Sequence, residues 1–316
     1  SRKTRKIIPI ETKSNLDLDF FVIPEMLKEM GYTNGHFGKW HLGDIGFHPE
    51  DSGFDVNVGG NRHGGPGGYF APYPYPDLTD VPNGEYLTDR IGDEVVKFIT
   101  ANKENNFFAY VPFFSVHTPI QSKPAYQKKY TKKDSNEYHN RADYAGMIQS
   151  LDENVGKIIE KIDALNLSKN TLIIFTSDNG GITAISNQYP LRAGKGWLYE
   201  GGIKIPQLIK VPGISKNTKI YDLTVSHDLF PTILDYVGLK SETELDGKSL
   251  MPLLEGKSKI EREEVFWHFP HYHGSLWKPG SAIRKGDWKL HYYFEDKEVE
   301  LYNLKDDVSE KNDLSK

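Results

Sequence analysis

Lys39 and His41 stand two residues apart in "GHFGKWHLGD", residues 35–44, with Trp40 between them and Gly35, Gly38 and Gly43 around them. On an extended backbone residues i and i+2 point the same way, so an ammonium and an imidazole at this spacing can address one anion together. Trp40 then points into packing, and the glycines let the turn lie close. His117, in "SVHTPI", ends an apolar run and is either a hydrogen-bonded structural residue or a catalyst on the active edge of a sheet. Asp178 and Asn179, in "FTSDNGG", offer a carboxylate and a carboxamide oxygen side by side, the hard donors that Ca²⁺ or Mg²⁺ takes. They equally suit an Asx-turn ending a strand, and two ligands fall short of the roughly 6–8 oxygens of Ca²⁺. Lys195 lies between Gly194 and Gly196 in "RAGKGWLYEGGIKIP", as a solvated turn residue or as a cation brought close to an anionic group. In "WHFPHYHGSLW", residues 267–277, His271, His273 and Trp277 are candidates for a wall against a sugar or aryl group. Packing within a subdomain explains that segment as well. A zinc site there is disfavoured, because the His spacings match no helical i, i+4 pair and no carboxylate is adjacent.

Taken jointly, two Lys, two His, an Asp and an Asn occur at glycine-rich turns or predicted strand ends. A divalent cation, two ammonium groups and two imidazoles suit a compact oxyanion ester. Metal and lysines would neutralise the non-bridging oxygens, and an imidazole would protonate the leaving alkoxide. Sulfate and phosphate esters both meet this description.

The elements that must position these groups read as α/β. The spacing predicts helices over residues 20–31, stopped by Gly31, and 88–103, with Thr88 as N-cap. A third covers 143–165, with Tyr144, Met147, Ile148, Leu151, Val155, Ile158, Ile159, Ile162 and Leu165 repeating at three and four. A short helix with Pro231 early and Gly238 as stop covers 226–238. "NFFAYVPFFSVHTP" and "TLIIFTSDNGG" read as buried strands, and helix–strand alternation of this kind means a largely parallel sheet with its chemistry beyond the carboxyl ends. Residues 59–87 are rich in Gly, Pro and Tyr without periodicity, which predicts an ordered, functional surface loop. From about residue 256 short aromatic runs separated by turns predict an antiparallel sheet, so the expected domains are 1–255 and 256–316.

Composition sets outer bounds. The 316 residues are 12% aromatic, enough for a sizeable core, and the net charge of −5 with interspersed signs argues against a nucleic-acid binder. No apolar run approaches the roughly 20 residues of a membrane span. The absence of Cys excludes disulfides and thiolate zinc sites within the chain. No P-loop, dinucleotide fingerprint or nucleophile elbow occurs.

"GYTNGHFGKWHLG" resembles the second signature of the type I sulfatases, and "SVHTPIQ", "FTSDNGG", "RAGKGWLYEGGIKIP", "SHDLFPTILDYVG" and "AIRKGDWKL" are similar to further blocks of that family, in family order, from about residue 20 to residue 304. The resemblance implies an alkaline-phosphatase-like fold: a mixed, largely parallel sheet flanked by helices, with a small C-terminal antiparallel subdomain. It implies that Lys39 and His41 contact the catalytic residue and the sulfate, that Lys195 and His117 bind sulfate oxygens and assist the leaving group, and that Asp178 and Asn179 ligate Ca²⁺. It also implies a formylglycine nucleophile, made from Cys or Ser in a C/S-x-P-S-R segment, and an Asp-Asp pair completing the metal site. Neither occurs here, and Ser1-Arg2 followed by Lys3-Thr4-Arg5-Lys6 is no remnant of that segment. The expectation is a sulfatase sequence without roughly its first hundred residues, formylglycine lying upstream of residue 1. Loss of a central strand with that piece would expose apolar surface. The expected substrate is a sulfated carbohydrate or aryl sulfate. A phosphate or phosphonate monoester hydrolase of the same superfamily and a non-catalytic sulfated-glycan binder stand as alternatives. By family analogy the protein is periplasmic or secreted.

Overall fold

In the computed structural model residues 5–8, 11–73, 78, 81–133, 138, 140–214, 217–241 and 243–316 are described. The start of the chain at Ser1–Thr4 and residues 74–77 and 79–80 of the long Gly/Pro/Tyr loop lie outside them. The chain forms two compact units, one of residues Thr12–Thr171 and one of Ser1–Glu11 with Leu172–Lys316.

The first unit holds α1 (Ile23–Glu29), β1 (Thr33–Phe37), β2 (Val56–Val58), α2 (Leu87–Ala101), β3 (Phe107–Tyr110), α3 (Pro124–Thr131) and α4 (Ala142–Ala164). Its sheet runs β2-β1-β3, parallel throughout, with Gly35 opposite both Val56 and Ala109. The central strand is buried from Asn34 to Phe37, as expected where helices cover a parallel sheet. Thr88 is not the N-cap of α2. Tyr86 takes that position, and Thr88 is buried in the first turn with its hydroxyl 2.6 Å from Ser115 Oγ. Helix α4 packs on α2 and α3. Its buried side is Gly146, Met147, Ser150, Asn154 and Ile162, while Ile148 stays 46% exposed. The buried face is thus rotated from the predicted apolar stripe, with Asn154 Nδ2 on that face donating to Asp89 Oδ1 of α2 at 2.8 Å.

The second unit holds β4 (Ile173–Thr176), α5 (Glu200–Ile203), β5 (Gln207–Lys210), α6 (Leu229–Val237), α7 (Met251–Leu254) and β6 to β9 (Glu264–Phe269, Gly280–Lys285, Trp288–Tyr293, Val299–Asn303). Strand β4 departs from expectation: it pairs antiparallel with β5 in a two-stranded sheet, and Phe175 and Thr176 are exposed. Apolar residues there were read as doubly buried, but one face of this ribbon has no cover among the described residues of the unit. Strands β6-β7-β8-β9 form the antiparallel sheet expected of the C-terminal segment. Helix α6 ends at Gly238 in the left-handed conformation, as its Gly stop predicts.

Candidate functional site

In the first unit β1 and β3 run side by side in the same direction, so their carboxyl ends release residues 38–41 and 111–117 on one edge of the sheet. The two segments are stitched there. Lys39 N–H donates to Pro112 O at 2.9 Å, Gly38 N–H to Val58 O at 2.9 Å and His41 N–H to Asn61 O at 3.0 Å. Gly38 is needed for this approach, because a Cβ on it would stand 2.2 Å from Pro112 O. The expected strand alternation does not itself orient Lys39 and His41. Strand β1 ends at Phe37, and His41 takes a left-handed φ of 59°. Trp40 is buried as expected, 8% exposed, with Nε1–H donating to Phe47 O at 2.8 Å, while Lys39 is half-buried and His41 exposed.

The loop that follows β2 runs past both imidazoles at consecutive residues. A Cβ at position 64 would stand 2.5 Å from His41 Cε1, and one at position 65 would stand 3.3 Å from His117 Cε1 and Nδ1. Neighbouring Cα atoms are ~3.8 Å apart, so the rings lie no more than roughly 13 Å from one another. His117 Nδ1 is 2.9 Å from Thr118 O. A proton on Nδ1 satisfies that carbonyl and leaves Nε2 as the ring's acceptor.

Sequence reasoning missed the residue that seats His117. Tyr69 is fully buried, and its hydroxyl meets Phe114 O at 2.8 Å and His117 O at 2.9 Å, while its N–H donates to Gln121 Oε1 at 2.8 Å. The signal available was a Tyr in an aperiodic Gly/Pro loop, which carries no address for its hydroxyl. His36 beneath this edge is also buried, with Asn57 Oδ1 3.3 Å from Nδ1 and Nε2 unpaired. Burial pushes its pKa down to about 4, against a smaller upward pull from Asn57.

In the second unit Asp178 and Asn179 follow β4, and the turn they form interlocks with the Lys195 segment. Gly180 N–H donates to Gly202 O and Lys195 N–H to Gly181 O, both at 2.9 Å. Added Cβ atoms would meet Gly201 O at 1.8 Å from position 180 and Gly181 O at 2.3 Å from position 194, so glycine is required on both sides of the junction. His273 seats on the same segment: its Nδ1 is 2.9 Å from Ser275 Oγ, and Ser275 Oγ donates to Gly196 O at 3.2 Å. His271 is half-buried beside the Phe269 ring, centroids 5.7 Å apart. Trp277 differs from expectation. At 1% exposure it is core, packed with Leu198, Ala282 and Tyr293, and its ring has no open face for a sugar.

For a hard cation, Asp178 is exposed, its Oδ1 accepting Asn179 N–H at 2.8 Å. Asn179 Nδ2 donates to Gly180 O at 2.9 Å, which leaves its carbonyl oxygen as the amide's acceptor. Among the described residues no group of three or more His, Cys, Asp or Glu could hold a metal ion. The pair offers two of the roughly 6–8 oxygen donors that a hard cation takes.

Behind Lys195 the chain is braced by a buried charge network. Lys289 Nζ lies 3.0 Å from carboxylate oxygens of both Glu200 and Glu310, and Glu310 also accepts Glu200 N–H at 2.7 Å and contacts His291 Nε2 at 3.2 Å. Burial pushes the Glu310 carboxyl up, and His291, Lys289 and the Glu200 N–H together outweigh it, holding the group below the ordinary carboxylate value.

The fold is that of sulfatases. The family described as "Sulfatase" matches residues 4–239, and that described as "N-sulphoglucosamine sulphohydrolase, C-terminal" matches residues 193–316. A sulfatase of Formosa agariphila is 32% identical over 98% of this chain and 68% of its own length, and the mouse N-acetylgalactosamine-6-sulfatase is 30% identical over 90% of this chain. The chain spans 57% of the length of the latter. The crystal structure of Ps i-CgsB superposes with a TM-score of 0.81 at 30% identity, covering 96% of this chain and 72% of that one. A phosphonate monoester hydrolase from Silicibacter pomeroyi, 18% identical with a TM-score of 0.68, shares the fold alone. The chain belongs to the sulfatase family and has its alkaline-phosphatase-like fold.

Proposed function

We propose that this protein hydrolyses sulfate monoesters carried on a carbohydrate. The observation that supports this most is the pairing of His41 and His117 across one glycine loop, at the carboxyl ends of adjacent parallel strands and next to Lys39. In this reading Lys39 and His41 bind the sulfate oxygens, and His117, with its Nδ1–H kept on Thr118 O, delivers a proton from Nε2 to the leaving alkoxide. Lys195 binds sulfate oxygens. Asp178 and Asn179 contribute to a Ca²⁺ or Mg²⁺ site, whose ion would offset charge on the ester oxygens. The nucleophile of the reading is formylglycine, expected outside these 316 residues.

A carbohydrate substrate is supported by the relatives. A structure of Ps i-CgsB with k-i-k-neocarrahexaose is 29% identical, and the mouse relative is named for N-acetylgalactosamine 6-sulfate. His271 and His273 are proposed as glycan contacts, since both are half-buried, His273 seated on the Lys195 segment through Ser275 and His271 just beyond β6 beside Phe269. Trp277 is left out because it is buried. No helix among the described residues is long and apolar enough to cross a membrane, and a periplasmic or secreted location is proposed from the family.

The test is sulfate release from sulfated oligosaccharides by the complete, matured protein, run beside aryl sulfate and aryl phosphate. Sulfate esters are expected to turn over faster than phosphate esters. Faster phosphate hydrolysis would support the phosphohydrolase alternative, and tight glycan binding without turnover the non-catalytic one.

A further inference from the structure

Gly64 and Gly65 lie in the Gly/Pro/Tyr loop of residues 59–87, and each lies against a different imidazole of the proposed site. A Cβ at position 64 would fall 2.5 Å from His41 Cε1 and 2.8 Å from both ring nitrogens. These are separations that no relaxed carbon contact tolerates, so the exposed His41 ring would have to swing away from the loop. At position 65 the same atom would be 3.3 Å from His117 Cε1 and Nδ1, a tight contact that a small ring shift relieves. Neither glycine has the positive φ that other loop glycines such as Gly59 and Gly67 show, so the backbone would accept alanine at both positions. What requires glycine is therefore the ring alongside, not the conformation of the chain.

The loop is itself anchored on both sides of the pair. Asn61 O accepts His41 N–H at 3.0 Å, and Tyr69 bonds the His117 carbonyl at 2.9 Å. A strip of side-chain-free backbone thus lies against two histidines that follow different strands. We propose that Gly64-Gly65 is a positioning wedge: it sets the placement of His41 and His117 against each other, and hence of the sulfate-binding and proton-exchanging groups. The proposal rests on the functional reading only for its effect on rate. Its geometric content stands apart.

The same loop supplies an internal control. A Cβ at Gly68 would stand 3.7 Å from Gln121 Oε1, ordinary van der Waals contact, and its φ also lies outside the left-handed range. The experiment is the series Gly64→Ala, Gly65→Ala and Gly68→Ala in the complete, matured protein. A displaced catalytic group costs up to about 10²-fold, so kcat for an aryl sulfate should fall about 100-fold, about 10-fold and less than 2-fold respectively, with KM less affected than kcat.

Because Gly64→Ala could fail to fold, a double-mutant cycle with His41→Ala accompanies it. Removing the ring removes the obstacle, so Gly64→Ala should lower Tm strongly in the His41 background and little in the His41→Ala background. The imidazole NMR signals of His41 should move in Gly64→Ala, and those of His117 in Gly65→Ala. Equal Tm losses in the two backgrounds, or equal rate losses for all three alanines, would overturn the wedge. If the cycle and the ring signals behave as stated while no sulfate ester is hydrolysed by the parent protein, the wedge stands and the sulfatase reading fails.

Discussion

Tyr69 reaches His117 from 48 residues away, its hydroxyl bonding the histidine's own carbonyl. Tyr69→Phe leaves that part-buried acceptor without this donor, at about 1–3 kcal/mol. Urea unfolding should register that loss, and kcat should fall with the seat of His117 loosened. Lys195 is argued differently. Its segment is held by backbone bonds to Gly181 and by glycines, not by the lysine side chain. Lys195→Ala should therefore lower kcat/KM by about 10²-fold or more, as loss of a charge-stabilising group does, while Tm moves little. Equal losses of stability and rate would show that the side chain packs. For Trp277, burial reverses what the segment's aromatic content predicts. Trp277→Ala should cost about 3–5 kcal/mol of stability as a cavity in the core, rather than raise KM for a glycan selectively.

At the scale of elements, the C-terminal tail after β9 works as a latch. Glu310 caps the first N–H of the short helix α5 and shares Lys289 with Glu200, and its own carbonyl accepts from Arg192 NH1 at 2.6 Å. Arg192 lies 3.9 Å over the Tyr199 ring, so the residues on both sides of Lys195 are tied to the sheet and the tail. Glu310→Ala would leave Lys289 and His291 facing a void, and breaking a buried pair in this way costs about 3–5 kcal/mol. Glu310→Gln, which keeps the shape, should recover part of it. Thermal unfolding of the two variants side by side is the check, and equal Tm values would remove the charge from the account. Elsewhere in this unit Asp228 and Arg262 form a second buried pair. Burial pushes the Asp228 carboxyl up, but Arg262 and the N–H groups of Lys248 and Val225 bring it below its ordinary value.

For the molecule as a whole these buried groups contribute to the response to acid, and their signs agree. His36 is held neutral, its pKa lowered to about 4 from 6.5. Below pH 6.5 the unfolded chain takes up a proton there that the folded chain refuses. Stability therefore falls as pH drops from 6.5 to about 4, by about 1.4 kcal/mol per pH unit and about 3 kcal/mol in all. His291, lowered chiefly by burial, acts in the same direction. Asp228 and Glu310, both below their ordinary values, contribute stability that is full above the unfolded carboxylate pKa and is lost as pH falls through the folded one. Acidification should therefore lower Tm in two stages, histidines first and carboxylates second. His36→Phe, placed among Trp40, Phe54 and Tyr110, should flatten the first stage. An unchanged Tm profile between pH 6.5 and 4 in that variant would assign the stage to other groups.

Much of this was legible in residue order. The helix periods, the Gly stops after α1 and α6 and the antiparallel run of β6 to β9 are local patterns, and local patterns survive translation into structure. The motifs around Lys39, His117, Asp178 and Lys195 were likewise visible as short runs of chemically distinct residues. Other features depend on what approaches from far along the chain. The exposed face of β4 follows from its antiparallel partner β5, and the rotated buried face of α4 carries an Asn–Asp bond to α2. The burial of Trp277 and the fit of Gly64 against His41 are likewise long-range. Periodicity reports how apolar a face is, whereas burial and close approach are set by the neighbour that arrives, and that neighbour is chosen only when the chain folds.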